Sequence, residues 1–220
     1  MRFDLHVHTD HSSDSENSVR DIVRILKAKG FSGAVFLDHN SSEGGKEALS
    51  IGEKEFVVIP GIEVSSSEGH ILALNIIEPV PRDLGVAETI DKIHELGGIA
   101  VAPHPYRYWS GLGEENVLSN DFDAIEGINA RSSQGSNIRA MKLARKMNLP
   151  AVAGSDSHNN ESLGDAYTVF PEGTDSAEKA IEAIVTGNIE VYGNSRTKRR
   201  TVAYVSKSVT EWLGRGMKKM

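Results

Sequence analysis

Short apolar runs alternate with amphipathic segments along most of the chain. The apolar runs predict eight strands, over residues 2–8, 33–38, 56–60, 70–76, 99–102, 123–129, 151–154 and 165–170. The segments with a helical apolar repeat predict six helices, over residues 17–29, 44–52, 86–97, 135–147, 176–186 and 204–213. Residues 103–122 show neither pattern and are expected to form a long loop.

The order of these elements predicts the fold class. Ser18 can cap the first helix and Gly30 can end it, which supports the predicted bounds. Strands that alternate with helices predict a mainly parallel sheet with helices outside it. Because chemically reactive side chains follow nearly every strand, a closed α/β barrel is favoured over an open sheet. We expect a single domain over residues 1–220, with the C-terminal helical tail packed on the barrel.

Composition narrows the class of protein. The 220 residues are 39% hydrophobic, which is enough for a sizeable core, and they include no cysteine. Disulfides are therefore excluded, and any metal ligands must be His, Asp or Glu. No apolar run is long enough for a membrane span, and the first residues predict a strand rather than a signal segment. We therefore expect a cytoplasmic protein.

The charge is unevenly distributed. A formal net charge of −7 disfavours a general nucleic-acid binder. Residues 193–220 nevertheless carry eight lysines and arginines and a single acidic residue, Glu211. A solvated surface helix is the simple interpretation of this basic tail. The alternative is a phosphate-rich partner, whose binding would weaken as the salt concentration rises.

The first predicted strand contains the clearest chemical signal. Asp4, His6 and His8 alternate with apolar residues, and the two-residue repeat of a strand predicts that all three side chains share one face. Two imidazoles at positions i and i+2 can bind one metal ion. Two half-buried polar residues on an edge strand would give the same pattern.

Similar side chains recur at the ends of the later strands. Those that follow a predicted strand are His39, Glu63, His104, Asp156 and His158, while His70 opens one. In α/β barrels the functional side chains lie at the carboxyl ends of the strands, so we expect these residues to converge. His11, in a loop, and His94, within a helix, are not expected to be ligands.

The predicted ligand set consists of nitrogen and oxygen donors, which suits Zn²⁺, Mn²⁺ or Fe²⁺. It is too large for one ion, so we expect two or three divalent ions, with Glu63 as the natural bridging carboxylate.

Seven short motifs resemble those of the polymerase and histidinol phosphatase (PHP) family, and they occur in the family's order. They are Asp4-Leu5-His6-Val7-His8-Thr9, Ser12-Ser13-Asp14, Asp38-His39-Asn40, Pro60-Gly61-Ile62-Glu63-Val64, Gly69-His70, Pro103-His104-Pro105 and Gly154-Ser155-Asp156-Ser157-His158. The resemblance covers residues 2–158, and the part after residue 165 is similar to the closing region of small stand-alone members. It implies a distorted seven-stranded (β/α) barrel with a trinuclear metal site at the C-terminal ends of the strands.

The resemblance also implies a ligand assignment. The first ion would be held by His6, His8, Glu63 and Asp156; the second by Glu63, His70 and His104; and the third by Asp14, His39 and His158. Asp14 lies in a turn that would also suit a helix cap. Asp4 and Asp38 are expected to orient ligating imidazoles. Because every family ligand position carries a suitable residue, the resemblance implies an active enzyme.

The predicted activity is hydrolysis of a phosphate ester by water that the metal ions activate, with Glu63, Asp156 and His158 as catalytic residues. Arg107 and Arg131 are candidate phosphate ligands, or else ordinary surface arginines. The expected substrate is a small phosphorylated molecule of the nucleotide, sugar phosphate or histidinol phosphate type.

Two alternatives to a phosphatase stay open. One is a nuclease that acts on nucleic-acid ends and uses the basic tail. The other is a metal-binding scaffold without turnover. Three aromatic residues of the 103–122 segment, Tyr106, Tyr108 and Trp109, would either stack on a substrate ring or anchor their loop on the barrel.

Overall fold

The computed structural model describes residues 1–195. Its strands are β1 (Arg2–Val7), β2 (Gly33–His39), β3 (Val57–Ser65), β4 (His70–Leu74), β5 (Ile99–Ala102), β6 (Ala124–Asn129), β7 (Ala151–Gly154), β8 (Ala166–Val169) and β9 (Glu190–Gly193). Its helices are α1 (Val19–Ala28), α2 (Glu43–Ile51), α3 (Val86–Glu95), α4 (Gly113–Leu118), α5 (Gln134–Met147) and α6 (Ala177–Val185). None of these helices has the length and apolar character needed to cross a bilayer. The predicted helix 204–213 and nearly all of the basic tail lie outside the described residues.

The nine strands form one sheet in the order β7-β6-β5-β4-β3-β2-β1-β8-β9. The sheet curls until the end of β7 meets β1, where the Asp156 amide donates to the His6 carbonyl (2.7 Å) and the His8 amide donates to the Ser157 carbonyl (3.0 Å). At the opposite end, β8 pairs with β1, and the Thr168 hydroxyl donates to a backbone carbonyl of β7. The predicted α/β barrel is confirmed, with β1 to β7 around the barrel and β8 and β9 added beside β1.

One strand of the barrel runs against its neighbours. β4 is antiparallel to both β3 and β5, whereas β1-β2, β2-β3, β5-β6 and β6-β7 are parallel pairs. Only residues 66–69 separate β3 from β4, and so short a connection cannot cross over to a parallel strand. As a result His70, the first residue of β4, pairs with Ser65 at the edge where β3 ends.

Apolar side chains from every barrel strand fill the interior below that edge. They include Leu5 of β1, Leu37 of β2 and Leu72 of β4, each no more than 1% exposed. Side chains of α6 join the same cluster and cover the apolar end of the barrel. The interior is therefore a packed core, and side chains at the other end rest on it.

Two elements were not predicted. Residues 103–122 contain α4, so the expectation of a long loop without secondary structure is wrong for this part of the segment. β9 was also missed, and β3 extends five residues beyond the predicted end, to Ser65. The cap of α1 agrees with the prediction, because the Ser18 hydroxyl accepts a hydrogen bond from the Asp21 amide.

Candidate metal centre

The structure brings all nine predicted ligands together at one end of the barrel. The buried carboxylate of Glu63 lies at the centre of this set. Its Oε1 is 2.8 Å from His70 Nδ1 and 3.1 Å from His104 Nε2. Its Oε2 is 3.2 Å from both His8 Nε2 and His39 Nδ1. One carboxylate therefore contacts imidazoles from four separate segments of the chain.

Among the described residues, donor atoms of eight of these nine side chains, all but Asp14, form four groups in which every atom lies within 4.8 Å of the others. These groups are His8-His39-His158, His6-His104-Asp156, His6-His8-Glu63 and His39-Glu63-His70.

The donor arrangement fits bound cations. The Nε2 atoms of His6 and His8 are only 3.1 Å apart, a distance at which a shared positive ion satisfies both lone pairs. Asp14 Oδ1 and His104 Nδ1 are buried and have no hydrogen-bond partner among the described residues, although buried polar atoms are normally paired. Divalent ions bound by nitrogen and oxygen donors would satisfy such groups.

The fold keeps the central carboxylates ionised. Burial would raise the pKa of Glu63, but the neighbouring imidazoles, His70 above all, hold this pKa well below its usual range. Burial would also raise the pKa of Asp156, which the guanidinium groups of Arg107 and Arg131 instead hold well below its usual range. Both side chains are therefore in the charge state that a metal ligand requires.

The imidazoles differ in their protonation. Burial would lower the pKa of His6, but the carboxylates of Glu126 and Asp156 outweigh it and raise this pKa well above the usual value. For His104, burial and the nearby charge of Arg107 lower the pKa to about 4. His104 is thus neutral at neutral pH, whereas His6 must release a proton before it can bind a metal ion.

Three residues of the site have unusual backbone conformations. Asn40, His104 and Asp156 have φ angles of 52°, 29° and 53°, in the left-handed region that non-glycine residues seldom adopt. Such conformations cost about 1–3 kcal/mol each and are kept where the surrounding structure enforces them. At His104 and Asp156 the sharp change of direction directs a side chain from the strand end into the site.

Asp14 belongs to the site and is not a helix cap. Its Oδ2 is 3.0 Å from His158 Nε2 and 3.7 Å from His39 Nε2. Ser18 caps the following helix instead. The alternative role considered for Asp14 is therefore wrong.

Asp38 was expected to orient an imidazole, but its carboxylate contacts none directly. Its Oδ1 accepts from the Thr9 amide and from the Ser12 hydroxyl, both at 2.8 Å, and its Oδ2 accepts from the Thr9 hydroxyl at 2.7 Å. The Ser12 hydroxyl oxygen in turn accepts from the His39 amide at 3.0 Å. Asp38 therefore fixes the loop that follows β1 and reaches the site only through Ser12, whose hydroxyl also lies 3.5 Å from His8 Nδ1.

Asp4 was also expected to orient an imidazole, and this expectation is wrong. The prediction that Asp4 shares one face of β1 with His6 and His8 is wrong as well. The register of β1 shifts between Asp4 and Val7, which breaks the two-residue alternation. Asp4 accepts from the amides of Ser155 (2.8 Å) and Gly164 (2.9 Å) and has no contact with a ring nitrogen. It also accepts from the His6 amide (3.3 Å), so it stabilises the backbone where β1 and β7 meet and does not orient a ring.

Both candidate phosphate ligands reach the site. Arg107 Nη2 donates to Asp156 Oδ2 at 2.5 Å and to Asn129 Oδ1 at 2.8 Å. Arg131 Nη1 donates to Asp156 Oδ1 at 3.0 Å and lies 2.8 Å from His158 Nε2. Their side chains are only 20% and 19% exposed, so the alternative of ordinary surface arginines is wrong. Their binding of phosphate stays a prediction.

The aromatic residues beside Arg107 divide into two kinds. The Tyr106 hydroxyl donates to Glu114 at 2.9 Å, and the Arg139 guanidinium lies 3.8 Å from the centre of its ring. Tyr106 therefore anchors the loop. Tyr108 and Trp109 are 85% and 86% exposed and pack edge to face with their ring centres 4.6 Å apart. The exposure of Tyr108 and Trp109 shows that these two side chains do not anchor the loop on the barrel.

The two remaining histidines form separate surface pairs. His94 Nε2 lies 2.8 Å from Asp123, and His11 Nε2 lies 2.9 Å from Glu47. Neither belongs to the four donor groups.

Sequence reasoning missed two residues of the site, Glu126 and Asn129 of β6. Glu126 is 1% exposed with its Oε1 at 2.9 Å from His6 Nδ1, and Asn129 Nδ2 donates to Asp156 Oδ2 at 3.0 Å. A signal was available, because a carboxylate within the apolar run Ala124-Ile125-Glu126-Gly127-Ile128 requires a buried partner.

Comparison with known proteins agrees with this geometry. Residues 4–123 match the model of the PHP domain, and residues 134–189 match that of a PHP-associated region. An uncharacterized protein of Methanocaldococcus jannaschii is 35% identical over an alignment of 161 residues that covers 67% of this chain and 94% of that protein.

Two solved structures share the fold. A two-domain protein of Bacteroides vulgatus that contains a predicted PHP-like metal-dependent phosphoesterase superposes with a TM-score of 0.69 at 17% identity, over 88% of this chain and 65% of that one. A lesion-specific endonuclease of Pyrococcus furiosus superposes with a TM-score of 0.66 at 18% identity, over 87% of this chain and 58% of that one. This chain thus spans less than two thirds of either protein. By its match to the PHP domain model over more than half of its length, the chain belongs to the PHP domain family, and its fold is that of these two structures.

Proposed function

We propose that this protein hydrolyses phosphate monoesters of small molecules and that its nine clustered side chains hold two or three divalent metal ions. The observation that carries the proposal is the position of Arg107 and Arg131, whose guanidinium groups both reach Asp156 within the donor cluster. Metal ligands and fixed cations at one place are what a phosphoryl group requires.

The proposed assignment of ligands to ions agrees in part with the four groups of neighbouring donor atoms. His6, His8, Glu63 and Asp156 would hold one ion; Glu63, His70 and His104 a second; and Asp14, His39 and His158 a third. In the first set, donor atoms of His6, His8 and Glu63 lie within 4.8 Å of one another, and in the third set those of His39 and His158 do. A donor atom of His39 also lies within 4.8 Å of donor atoms of Glu63 and His70, which belong to the second set. Glu63 is the natural bridge, because each of its oxygens contacts two imidazoles. Bound Zn²⁺, Mn²⁺ or Fe²⁺ would supply a water of lowered pKa and positive charge beside the phosphoryl oxygens.

The residues of this chain would then bind and orient the substrate. Arg107 and Arg131 would bind terminal oxygens of the phosphate, and their permanent charge would offset the charge of the dianion. A monoester presents three terminal oxygens where a diester presents two, so it can engage both arginines and the metal site together. Asp156 would keep the two guanidinium groups in place through its two oxygens.

A nuclease is the second candidate, and the exposed pair Tyr108 and Trp109 is the observation that favours it. Successive bases of single-stranded nucleic acid stack on such side chains. This pair lies in the same loop as Arg107, and Ser110 joins that loop to the site, because its carbonyl accepts from the His70 amide at 2.9 Å.

The test is phosphate release by the metal-reconstituted protein from a panel of phosphomonoesters and short oligonucleotides. Wild type would be compared with Glu63→Gln and with the control Glu43→Gln, an exposed glutamate of α2 outside the site. Bound metal would be quantified in all three proteins. We expect turnover of a monoester by wild type and the control and none by Glu63→Gln. Cleavage of oligonucleotides alone would establish the nuclease, and full metal occupancy without any turnover would favour a scaffold.

A further inference from the structure

Glu126 and Asn129 lie side by side in the barrel because β6 contains a bulge. Side chains three residues apart on a regular strand point to opposite faces. In the pairing with β7, however, Glu126 is opposite Val152 and Ile128 is opposite Ala153, so β6 has one extra residue at Gly127. The extra residue shifts the alternation, and both polar side chains enter the barrel.

Close packing explains the glycine at the bulge. A Cβ atom on Gly127 would lie 2.3 Å from Met141 Sδ of α5. The absence of a side chain lets α5 pack against the bulged strand, which supports β6 from outside.

Both carboxylate oxygens of Glu126 make hydrogen bonds inside the barrel. Oε1 is 2.9 Å from His6 Nδ1. Oε2 accepts from the backbone amide of His104 and from Asn129 Nδ2, each at 2.9 Å. Only β7 lies between β6 and β1 in the closed barrel, and the contact of Glu126 with His6 joins these two non-adjacent strands. One buried carboxylate therefore connects the imidazole of His6 in β1 to the backbone of His104, which follows β5.

We infer that Glu126 is a positioning residue of the metal site, which keeps the proton of His6 on Nδ1 and so presents Nε2 to the other donors. His6 Nε2 lies 3.1 Å from His8 Nε2 and 3.6 Å from Glu63 Oε2. With a carboxylate at Nδ1, the ring cannot turn without losing a buried charged hydrogen bond. The inference rests on the proposed function only in that the site binds metal.

Asn129 extends the same arrangement to the other side of the site. Its Nδ2 donates to Glu126 and, at 3.0 Å, to Asp156 Oδ2, while its Oδ1 accepts from Arg107 at 2.8 Å. The bulged strand therefore sets the position of His6 relative to Asp156 and Arg107. Metal ligands and a candidate phosphate ligand are held in one connected network.

Glu126→Gln tests the inference, because an amide cannot reproduce these contacts. If its oxygen faces His6, its NH₂ group opposes the donors of His104 and Asn129. If it turns over, the NH₂ group faces His6 Nδ1 and favours the tautomer with the proton on Nε2, the nitrogen that should bind metal. We expect the affinity for Zn²⁺, measured by competition with a chromophoric chelator, to fall about 10–100-fold.

Asp123→Asn is the matched control. Asp123 directly precedes β6, and its carboxylate also contacts one imidazole, that of His94 (2.8 Å), and one backbone amide, that of Ala100 (2.7 Å), outside the metal site. This variant should bind Zn²⁺ as tightly as wild type. Equal affinity of Glu126→Gln and Asp123→Asn for Zn²⁺ would overturn the inference.

A second measurement needs no variant and therefore stands even if Glu126→Gln fails to fold. In zinc-loaded wild type with ¹⁵N-labelled histidines, nuclear magnetic resonance should show His6 bound through Nε2 with its proton on Nδ1. Coordination through Nδ1 would overturn the inference. A wild-type protein that binds no Zn²⁺ would overturn it together with the metal site, whereas Zn²⁺ binding without phosphate release would remove only the proposed function.

Discussion

At the scale of single residues, the site depends on carboxylates that are buried and yet charged. Glu63 and Asp156 are each 1% exposed, and removing an isolated carboxylate from water costs several kcal/mol or more. Imidazoles around Glu63 and guanidinium groups around Asp156 offset this cost, as the lowered pKa of each carboxyl shows. The charge that attracts cations is therefore stabilised by the site itself.

Asp14→Asn should reduce the amount of bound metal. Asp14 contacts His158 and His39, and an amide is a much weaker ligand than a carboxylate for the ions considered. We expect metal affinity at this position to fall at least about tenfold, since even indirect changes around metal sites have effects of that size. Metal per chain would be measured after dialysis. Asp10→Asn, an exposed aspartate of the same loop, is the control, and equal metal content in the two variants would refute the assignment.

Arg107→Gln should lower kcat/KM for the preferred phosphomonoester. Loss of a charged hydrogen bond of about 1.5–3 kcal/mol corresponds to a decrease of roughly 10–100-fold. Metal content must stay at the wild-type level, because Arg107 also contacts Asp156. Arg24→Gln, on the exposed surface of α1, serves as the control. An unchanged kcat/KM in Arg107→Gln would show that this arginine does not bind the phosphate.

At the scale of elements, the junction of β7 with β1 holds the barrel closed at the site. A Cβ atom on Gly154 would lie 2.4 Å from His6 Cβ and 2.6 Å from the His6 amide nitrogen. Gly154→Ala must therefore separate the two strands, and we expect unfolding to become easier by about 1–3 kcal/mol.

The control for this prediction is Gly135→Ala in the first turn of α5. Its added Cβ would meet nothing closer than 3.9 Å, and alanine favours a helix over glycine by about 0.5–1 kcal/mol. Urea unfolding should thus move in opposite directions for the two variants. Similar midpoints would mean that the barrel does not depend on close contact of β7 with β1.

The sequence predicted those elements that bury an apolar face and missed those that do not. β2 and β5 are continuous apolar runs and were found. β9 is a four-residue edge strand without a buried residue, and α4 has six residues of which only Val117 is buried. Neither segment is long or apolar enough to show a period.

The site was predictable where a candidate ligand lies at or just beyond the end of a strand, as His39 and Asp156 do. Glu126 and Asn129 were not predicted because their roles depend on a bulge and on a contact between strands that are not neighbours in the sheet. The indirect contact of Asp38 with the site was not predicted, because the sequence does not show that the loop after β1 brings its own donors, Thr9 and Ser12, to this carboxylate. Local sequence patterns therefore identify candidate metal ligands better than they identify the residues that position those ligands.

At the scale of the whole molecule, the barrel joins an apolar end to a polar end through the same strands. In β2, Leu37 belongs to the interior core, and His39, two residues further on the same face, contacts Glu63. In β6, Ala124 belongs to the core and Glu126 to the site. The packed core thus fixes the strand positions from which these polar side chains extend into the site.

The polar end should make the stability of the whole protein dependent on metal. Ions that bind only the folded state stabilise it by mass action, by about 2.7 kcal/mol per site when the free ion is at 100 times its Kd. We therefore expect Zn²⁺ to raise the midpoint of urea unfolding of wild type and a chelator to reverse the effect. Glu63→Gln should lose most of this gain, because Glu63 contacts four imidazoles of the site, whereas Glu43→Gln should keep it. If Zn²⁺ stabilised wild type and Glu63→Gln equally, the stabilising ions would have to bind elsewhere, and the clustered side chains would not be the metal centre.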